Sequence, residues 1–266
     1  MIFGFIGTGN MGGALAKAAA KRLAPDKILL SNKTFAKAQD LASQLNCRAV
    51  SVPEVAAAAN LLFLGVKPHM MADLLASIRP ILERRTDPLV LVSMAAGLTM
   101  ADIQAMAGKE YPVIRIMPNT PVAVGQGVIM YTYTPNTPAE ALEAFLAGMS
   151  QGGLLDPLPE NLIDAGSAVA GCGPAFAAMF MEALADGGVA CGLPRAKAME
   201  YAAKMLLGTA TMFLETGQHP GAMKDAVCSP GGATIAGVRA LEQGAFRAAA
   251  MNAVEAAFHR TKELGK

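Results

Sequence analysis

The sequence predicts a doubly wound α/β domain followed by an all-helical one, and three observations carry that prediction. Short apolar runs alternate with amphipathic stretches through the first half of the chain. The glycine-rich turn Gly7-Thr8-Gly9-Asn10-Met11-Gly12 directly follows the first apolar run and opens the first amphipathic one. Strand-like runs end near residue 160, beyond which only helix-length segments remain.

Each element follows from local pattern. Ile2–Ile6 is apolar at successive positions, as expected of a strand buried on both faces of a parallel sheet. Met11–Leu23 then carries apolar residues at helical spacing, and the alternation continues with strand Lys27–Ser31 and helix Phe35–Leu45. Strand Leu61–Val66 precedes helix Met70–Leu82, strand Leu89–Val92 precedes helix Met100–Ala107, and Val113–Met117 is a further strand. Pro135–Pro138 is a turn-rich break, followed by helix Ala139–Met149 and a last strand candidate, Leu154–Leu158. Strand and helix in strict order imply right-handed crossovers and a parallel sheet with helices on both faces.

From Asn161 the helical candidates are Pro174–Ala190, Pro194–Thr216, Ile235–Leu241 and Ala245–Leu264, with prolines at or near several starts. The domains are therefore placed at 1–159 and 160–266. Ala165–Met181 is uncharged but a little short of the ~20 residues a membrane span needs, and Gly166, Gly171, Gly173 and Pro174 would break it. It reads as buried protein core or part of a subunit interface, with no membrane role. The helical half is richer in Ala, Met and Leu than so small a domain can cover, which points to a homo-oligomer built through it.

Composition excludes other classes. The chain has 266 residues, 53% of them hydrophobic, and 22 Lys plus Arg against 21 Asp plus Glu give a net charge of +1. No block of like charge tracks a nucleic-acid backbone. Four scattered cysteines and three histidines, without a CxxC pair, indicate neither a metal site nor a disulfide framework. A reducing cytoplasm is expected, since MIFGFIG lacks the basic start of a secretory signal.

In its strand-to-helix setting, the glycine turn is read as a Rossmann dinucleotide site formed by Gly7, Thr8, Gly9, Asn10 and Met11, with the helix N-terminus holding the pyrophosphate. The second strand ends Ser31-Asn32-Lys33-Thr34, without the carboxylate that holds the free ribose of NAD. Two hydrogen-bonding side chains and a cation suit a 2′-phosphate, so NADP(H) is preferred and NAD(H) remains an alternative. Other strand-end loops supply Val66, Lys67 and Pro68, then Ala95 and Gly97 within Ser93-Met94-Ala95-Ala96-Gly97, and Asn119 within Pro118-Asn119-Thr120. Lys67 reads equally as a catalytic lysine or as a residue orienting the cofactor, and His69 as an exposed cap.

The segments GFIGTGNMG, FLGVKPH, SMAAG, RIMPNTPVAVGQG, AGCGPAFAAMFMEALADGGVACGLP and KDAVCSPGGATIAGV occur in the order seen in pyrroline-5-carboxylate reductases, which the chain resembles along essentially its whole length. The resemblance implies NAD(P)H-dependent reduction of 1-pyrroline-5-carboxylate to L-proline, and helical domains that interlock into dimers, often assembled into larger rings. The family's SGSGPAY stands here as Ala170-Gly171-Cys172-Gly173-Pro174-Ala175-Phe176, without two serine hydroxyls and a tyrosine hydroxyl.

A protonated cyclic imine is already electrophilic, so its reduction calls for positioning and carboxylate binding more than for a strong acid. Ser229, Gly231, Gly232 and Thr234 in CSPGGAT are expected to bind the substrate carboxylate through hydroxyls and free backbone N–H groups. Thr234 is the catalytic candidate, while Cys172, Cys191 and Cys228 are taken as packing. A β-hydroxyacid dehydrogenase has the same layout but looks for a lysine on the helix that reads GCGPAFAAMFMEAL, where none occurs. A non-catalytic dinucleotide-binding protein would have no need of the second loop.

Overall fold

The computed structural model describes residues 1–264. Strands β1 (Phe3–Ile6), β2 (Ile28–Ser31), β3 (Arg48–Ala49), β4 (Leu61–Leu64), β5 (Val90–Ser93), β6 (Val113–Pro118), β7 (Gly127–Tyr133) and β8 (Gly153–Pro157) form one sheet. Their spatial order is β3-β2-β1-β4-β5-β6-β7-β8, with β1 central among parallel neighbours. The side-chain alternation of a strand divides the core into two layers. Phe3, Phe5, Leu61 and Phe63 pack under helices α1 (Asn10–Ala20), α2 (Phe35–Leu45) and α6 (Ala139–Met149). Ile6, Leu62 and Leu64 point the other way, into α3 (Val52–Ala58), α4 (Met71–Leu82) and α5 (Met100–Ala107). In the first layer the Phe5 and Phe63 rings stack with centroids 4.4 Å apart, which adds directional contact to the area buried.

One expectation of the sheet is corrected. The alternation implied parallel strands throughout, but β7 runs antiparallel to β6, pairing Pro118 with Ile129 and Ile114 with Tyr133. Only the short helical turn Thr120–Val124 lies between them, too little chain for a parallel crossover. β8 then pairs parallel to β7.

Packing divides the described chain into Met1–Cys172 with Ala257 onward, and Gly173–Ala256. The division does not fall at 159/160, because α7 (Glu160–Gly166) belongs to the first unit. Its Ile163 is buried against Met117 and Met130. Its carboxylates reach a buried strand cation as well: Arg115 on β6 donates to Asp164 at 2.7 Å and to Glu160 at 3.4 Å.

The second unit holds α8 (Gly173–Ala190), α9 (Arg195–Thr216), α10 (Pro220–Ala226), α11 (Ala233–Gln243) and the first part of α12 (Phe246–Leu264). Within it only Ala185, Ala198 and Ala202 are buried, while Met179 is 70% and Leu214 80% exposed. The broken-helix expectation for Ala165–Met181 is also corrected. Glu160–Ala190 is one continuous helix, long and apolar enough by length and composition to cross a membrane. It carries a π-helical turn at Ser167–Gly171 and a turn at Cys172, just ahead of Gly173 and Pro174, and within the single chain most of its apolar stretch is exposed, not interior core.

Candidate functional site

The glycine turn is shaped by close backbone approach. Gly7 has φ +97°, a region open to glycine. Its N–H donates to the Ser31 carbonyl at 2.8 Å, and a Cβ on it would run into the Gly65 backbone. A Cβ on Gly12 would strike the Gly7 carbonyl in the same way. Gly9 has no atom within 4 Å of where its Cβ would lie. It is the N-cap of α1 and makes no side-chain cap hydrogen bond. The first N–H groups of the helix therefore lack intrahelical partners and face open space, the arrangement that binds an anion. Beside them Thr8 is 8% exposed, and its Oγ1 is buried without a partner.

A cavity of about 670 Å³ opens next to the turn and is lined by Gly7, Gly9, Asn32, Lys33, Val66 and Lys67. Six residues expected at the cofactor from three loops thus meet at one place. Asn32 Nδ2 donates to the Thr34 carbonyl at 3.2 Å, which fixes the loop after β2. Lys33 is exposed, and neither it nor Lys67 forms an ion pair among the described residues. A second cavity, of about 510 Å³, adjoins Thr8, Gly9 and Asn10 between α1 and α2, with Lys17 and Lys37 on its walls.

Other expected residues lie elsewhere. Ser31 is 1% exposed and meets the turn through its carbonyl, not through a free hydroxyl. Met11 and Pro68 are half-buried and do not line the larger cavity. Ala95 is buried and donates to Ser93 Oγ at 3.4 Å, and Gly97 turns the chain at φ +77°. Neither borders either cavity. Asn119 is buried with both ends of its amide engaged by protein: Nδ2 donates to the Ala170 carbonyl at 3.0 Å, and Oδ1 accepts from Val128 N–H at 2.9 Å.

Reading the sequence missed the far wall of the larger cavity, where Val52, Pro53, Met70, Asp73, Leu74 and Ser77 stand. One signal was available. Ser51-Val52-Pro53-Glu54 forms a capping box, with Glu54 Oε2 accepting from Ser51 N–H at 2.8 Å, and S-x-x-E ahead of an apolar run marks a helix start. The hydrogen bonds from Ser51 hold the Glu54 carboxyl below its ordinary range.

In the helical unit, Ser229-Pro230-Gly231-Gly232 is a tight turn closed by Gly232 N–H to the Ser229 carbonyl at 3.0 Å. Pro at the second position and Gly231 at φ +69° are what a type II turn demands. Ser229 Oγ lies over Gly232, where a Cβ would meet it. Gly232 is the N-cap of α11, again without a side-chain cap. Thr234 stands exposed on the first helical turn. The N–H groups of Ala233, Thr234 and Ile235 are consequently free of intrahelical partners. Upstream, Asp225 accepts from Lys224 at 2.7 Å and raises the lysine pKa.

Residues 160–264 match the family model described as pyrroline-5-carboxylate reductase dimerisation, and residues 2–97 the one described as NADP oxidoreductase, coenzyme F420-dependent. Over 99% of its length the chain is 40% identical to pyrroline-5-carboxylate reductase of Escherichia coli (strain K12), covering 98% of that protein. The chain belongs to the pyrroline-5-carboxylate reductase family.

Other members of the family agree. The enzyme of Arabidopsis thaliana is 38% identical over 99% of this chain and 95% of its own. The Plasmodium falciparum pyrroline carboxylate reductase, solved with NADP bound, superposes with a TM-score of 0.90 at 29% identity and covers the whole of this chain and 98% of that one. Within the family frame the protein is an oxidoreductase: a Rossmann-type half carries the glycine turn, and a helical half falls in the dimerisation model.

Proposed function

We propose that this protein reduces the C=N bond of 1-pyrroline-5-carboxylate to give L-proline, with NADPH as preferred reductant and NADH as an alternative. The observation that carries the reading is end-to-end similarity, at 40% identity, to a pyrroline-5-carboxylate reductase. The turn at Gly7–Gly12 fits a dinucleotide pyrophosphate. It has unpartnered N–H groups, open space over Gly9 and a buried Thr8 hydroxyl without a partner. Gly7, Thr8, Gly9, Asn10 and Met11 would hold the pyrophosphate, Asn32 and Lys33 the 2′-phosphate, and Val66, Lys67 and Pro68 the adjoining sugar.

Bound there, the dihydronicotinamide supplies the hydride. The chain's own task is to hold the imine with its carbon about 3–3.5 Å from the donor. The free N–H groups at the start of α11, with Ser229, Gly231 and Gly232, would bind the carboxylate, because the helix terminus carries partial positive charge. Thr234 is the side chain proposed to touch the reacting substrate. Hydride adds to the imine carbon, and the nitrogen, already protonated, becomes the secondary amine of the product.

Residues 160–266 are proposed as the substrate-binding and dimerisation region, with rings built from the dimers. A second copy, and not lipid, would cover the exposed apolar helices, and the protein would work in the cytoplasm. With purified protein, NADPH absorbance should fall on addition of 1-pyrroline-5-carboxylate and L-proline should accumulate. Inactivity with that imine alongside turnover of a β-hydroxyacid overturns the assignment.

A further inference from the structure

We propose that Asn119 is a positioning residue for this reductase and not a cofactor ligand: it clamps the π-turn that leads into α8. The role in turnover rests on the reading given under Proposed function, while the clamp itself stands on geometry. Asn119 sits where β6 ends, and its position is doubly fixed. Its own N–H donates to the Val128 carbonyl at 3.2 Å, and Val128 N–H returns a bond to Asn119 Oδ1 at 2.9 Å. What remains is Nδ2, which reaches 51 residues along the chain to the Ala170 carbonyl at 3.0 Å.

That carbonyl needs an outside donor for a reason visible in the sequence. In an α-helix it would accept from the N–H four residues on, but residue 174 is proline and has none. The chain responds with a π-turn, in which Cys172 N–H donates to the Ser167 carbonyl at 3.0 Å. Asn119 provides the donor that Pro174 lacks. Ala170 begins the stretch Ala170-Gly171-Cys172-Gly173-Pro174-Ala175-Phe176, in which this chain has lost three hydroxyls present in the resembling family. Backbone placement is the contribution left to it. The base of the same helix is tied separately, through Asp164 and Glu160 to Arg115, so the Asn119 bond governs the turn alone.

The test uses the full-length protein. Asn119→Asp keeps an acceptor for Val128 N–H but sets a carboxylate oxygen against the Ala170 carbonyl. Hydrogen exchange without any ligand should become about tenfold faster in a peptide covering residues 166–173, as expected for loss of one buried hydrogen bond. The Kd for NADPH, followed by fluorescence, should stay within about twofold while kcat for the imine falls about tenfold. Adding Pro174→Ala restores an N–H for Ala170 and should recover most of the lost protection and turnover.

Unchanged exchange in Asn119→Asp, or no recovery on adding Pro174→Ala, overturns the proposal. A tenfold weaker NADPH Kd with an unperturbed turn would make Asn119 a cofactor ligand. If Asn119→Asp does not fold, the decision passes to Asn119→Ala, which should be milder in the Pro174→Ala background than alone; equal effects overturn the clamp. A wild-type protein inactive on the imine removes the reductase reading, yet the exchange experiment still decides the clamp.

Discussion

Replacing Arg115 by Met should destabilise the first unit by about 2–3 kcal/mol. The Arg115 side chain is 3% exposed and pairs with Asp164 at 2.7 Å and Glu160 at 3.4 Å. Glu160 also accepts from Met100 N–H at 2.7 Å, so the charges tie α7 to both β6 and the start of α5. Removing one partner of a buried pair costs roughly 3–5 kcal/mol. Here the carboxylate side chains are 23% and 30% exposed and regain some water, and Met preserves the apolar stem, which brings the cost to the lower figure. At roughly 2–4 °C per kcal/mol for a unit of this size, Tm should drop by about 4–12 °C. Urea and thermal unfolding measure the loss. A cycle with Asp164→Asn should show a coupling of at least about 1 kcal/mol. A change within about 0.5 kcal/mol, or strict additivity with Asp164→Asn, refutes the argument that this cluster anchors α7.

Three further outcomes are expected. Gly9→Ala meets no atom within 4 Å and should leave stability within about 0.5 kcal/mol, yet its methyl enters the space proposed for the pyrophosphate and should weaken NADPH binding tenfold or more; titration at unchanged Tm checks both halves. Lys33→Ala should raise the Kd for NADPH about tenfold while leaving NADH nearly unaffected, since only the former carries the 2′-phosphate. Asp87 receives hydrogen bonds from Arg85 at 2.5 and 3.0 Å, which hold its carboxyl below the ordinary range. Because the folded-state pKa is the lower one, this stabilisation is present above the unfolded carboxylate pKa and is lost as pH falls through the folded value. Asp87→Asn should therefore cost under about 1 kcal/mol at pH 7, given a half-exposed carboxylate, and the difference from wild type should shrink in acid unfolding as pH falls from the unfolded carboxylate range through the lower folded-state value.

Most strands were legible because a strand buried on both faces leaves a contiguous apolar run, as Leu61–Leu64 does. What escaped was decided by partners distant in sequence or by very short elements. The two residues of β3 exist as a strand only through pairing with Leu29 and Leu30. β7, an apolar run, has no counterpart among the expected strands, and its direction is dictated by the brief turn before it. The glycine turn was legible as geometry because Gly7 and Gly12 have close-contact roles. Asn119 was legible only as a polar residue at a strand end, since nothing near it in sequence announces that Ala170 consumes its amide. Glu160 and Asp164 read as ordinary helix-surface charges until Arg115 is seen beneath them.

The three buried alanines of Gly173–Ala256 have a consequence for synthesis as well as for architecture. A unit with so little interior cannot finish folding by intramolecular collapse, so the last step for a new chain becomes an encounter between molecules. Refolding from denaturant should then slow in proportion to dilution once the Rossmann-type half has formed. Until that encounter, the helices carrying Met179, Leu207 and Leu214 offer apolar surface to chaperones, proteases and other unpaired chains alike. Cellular yield of the protein would accordingly depend on how fast it is made, and not only on how stable it is once made.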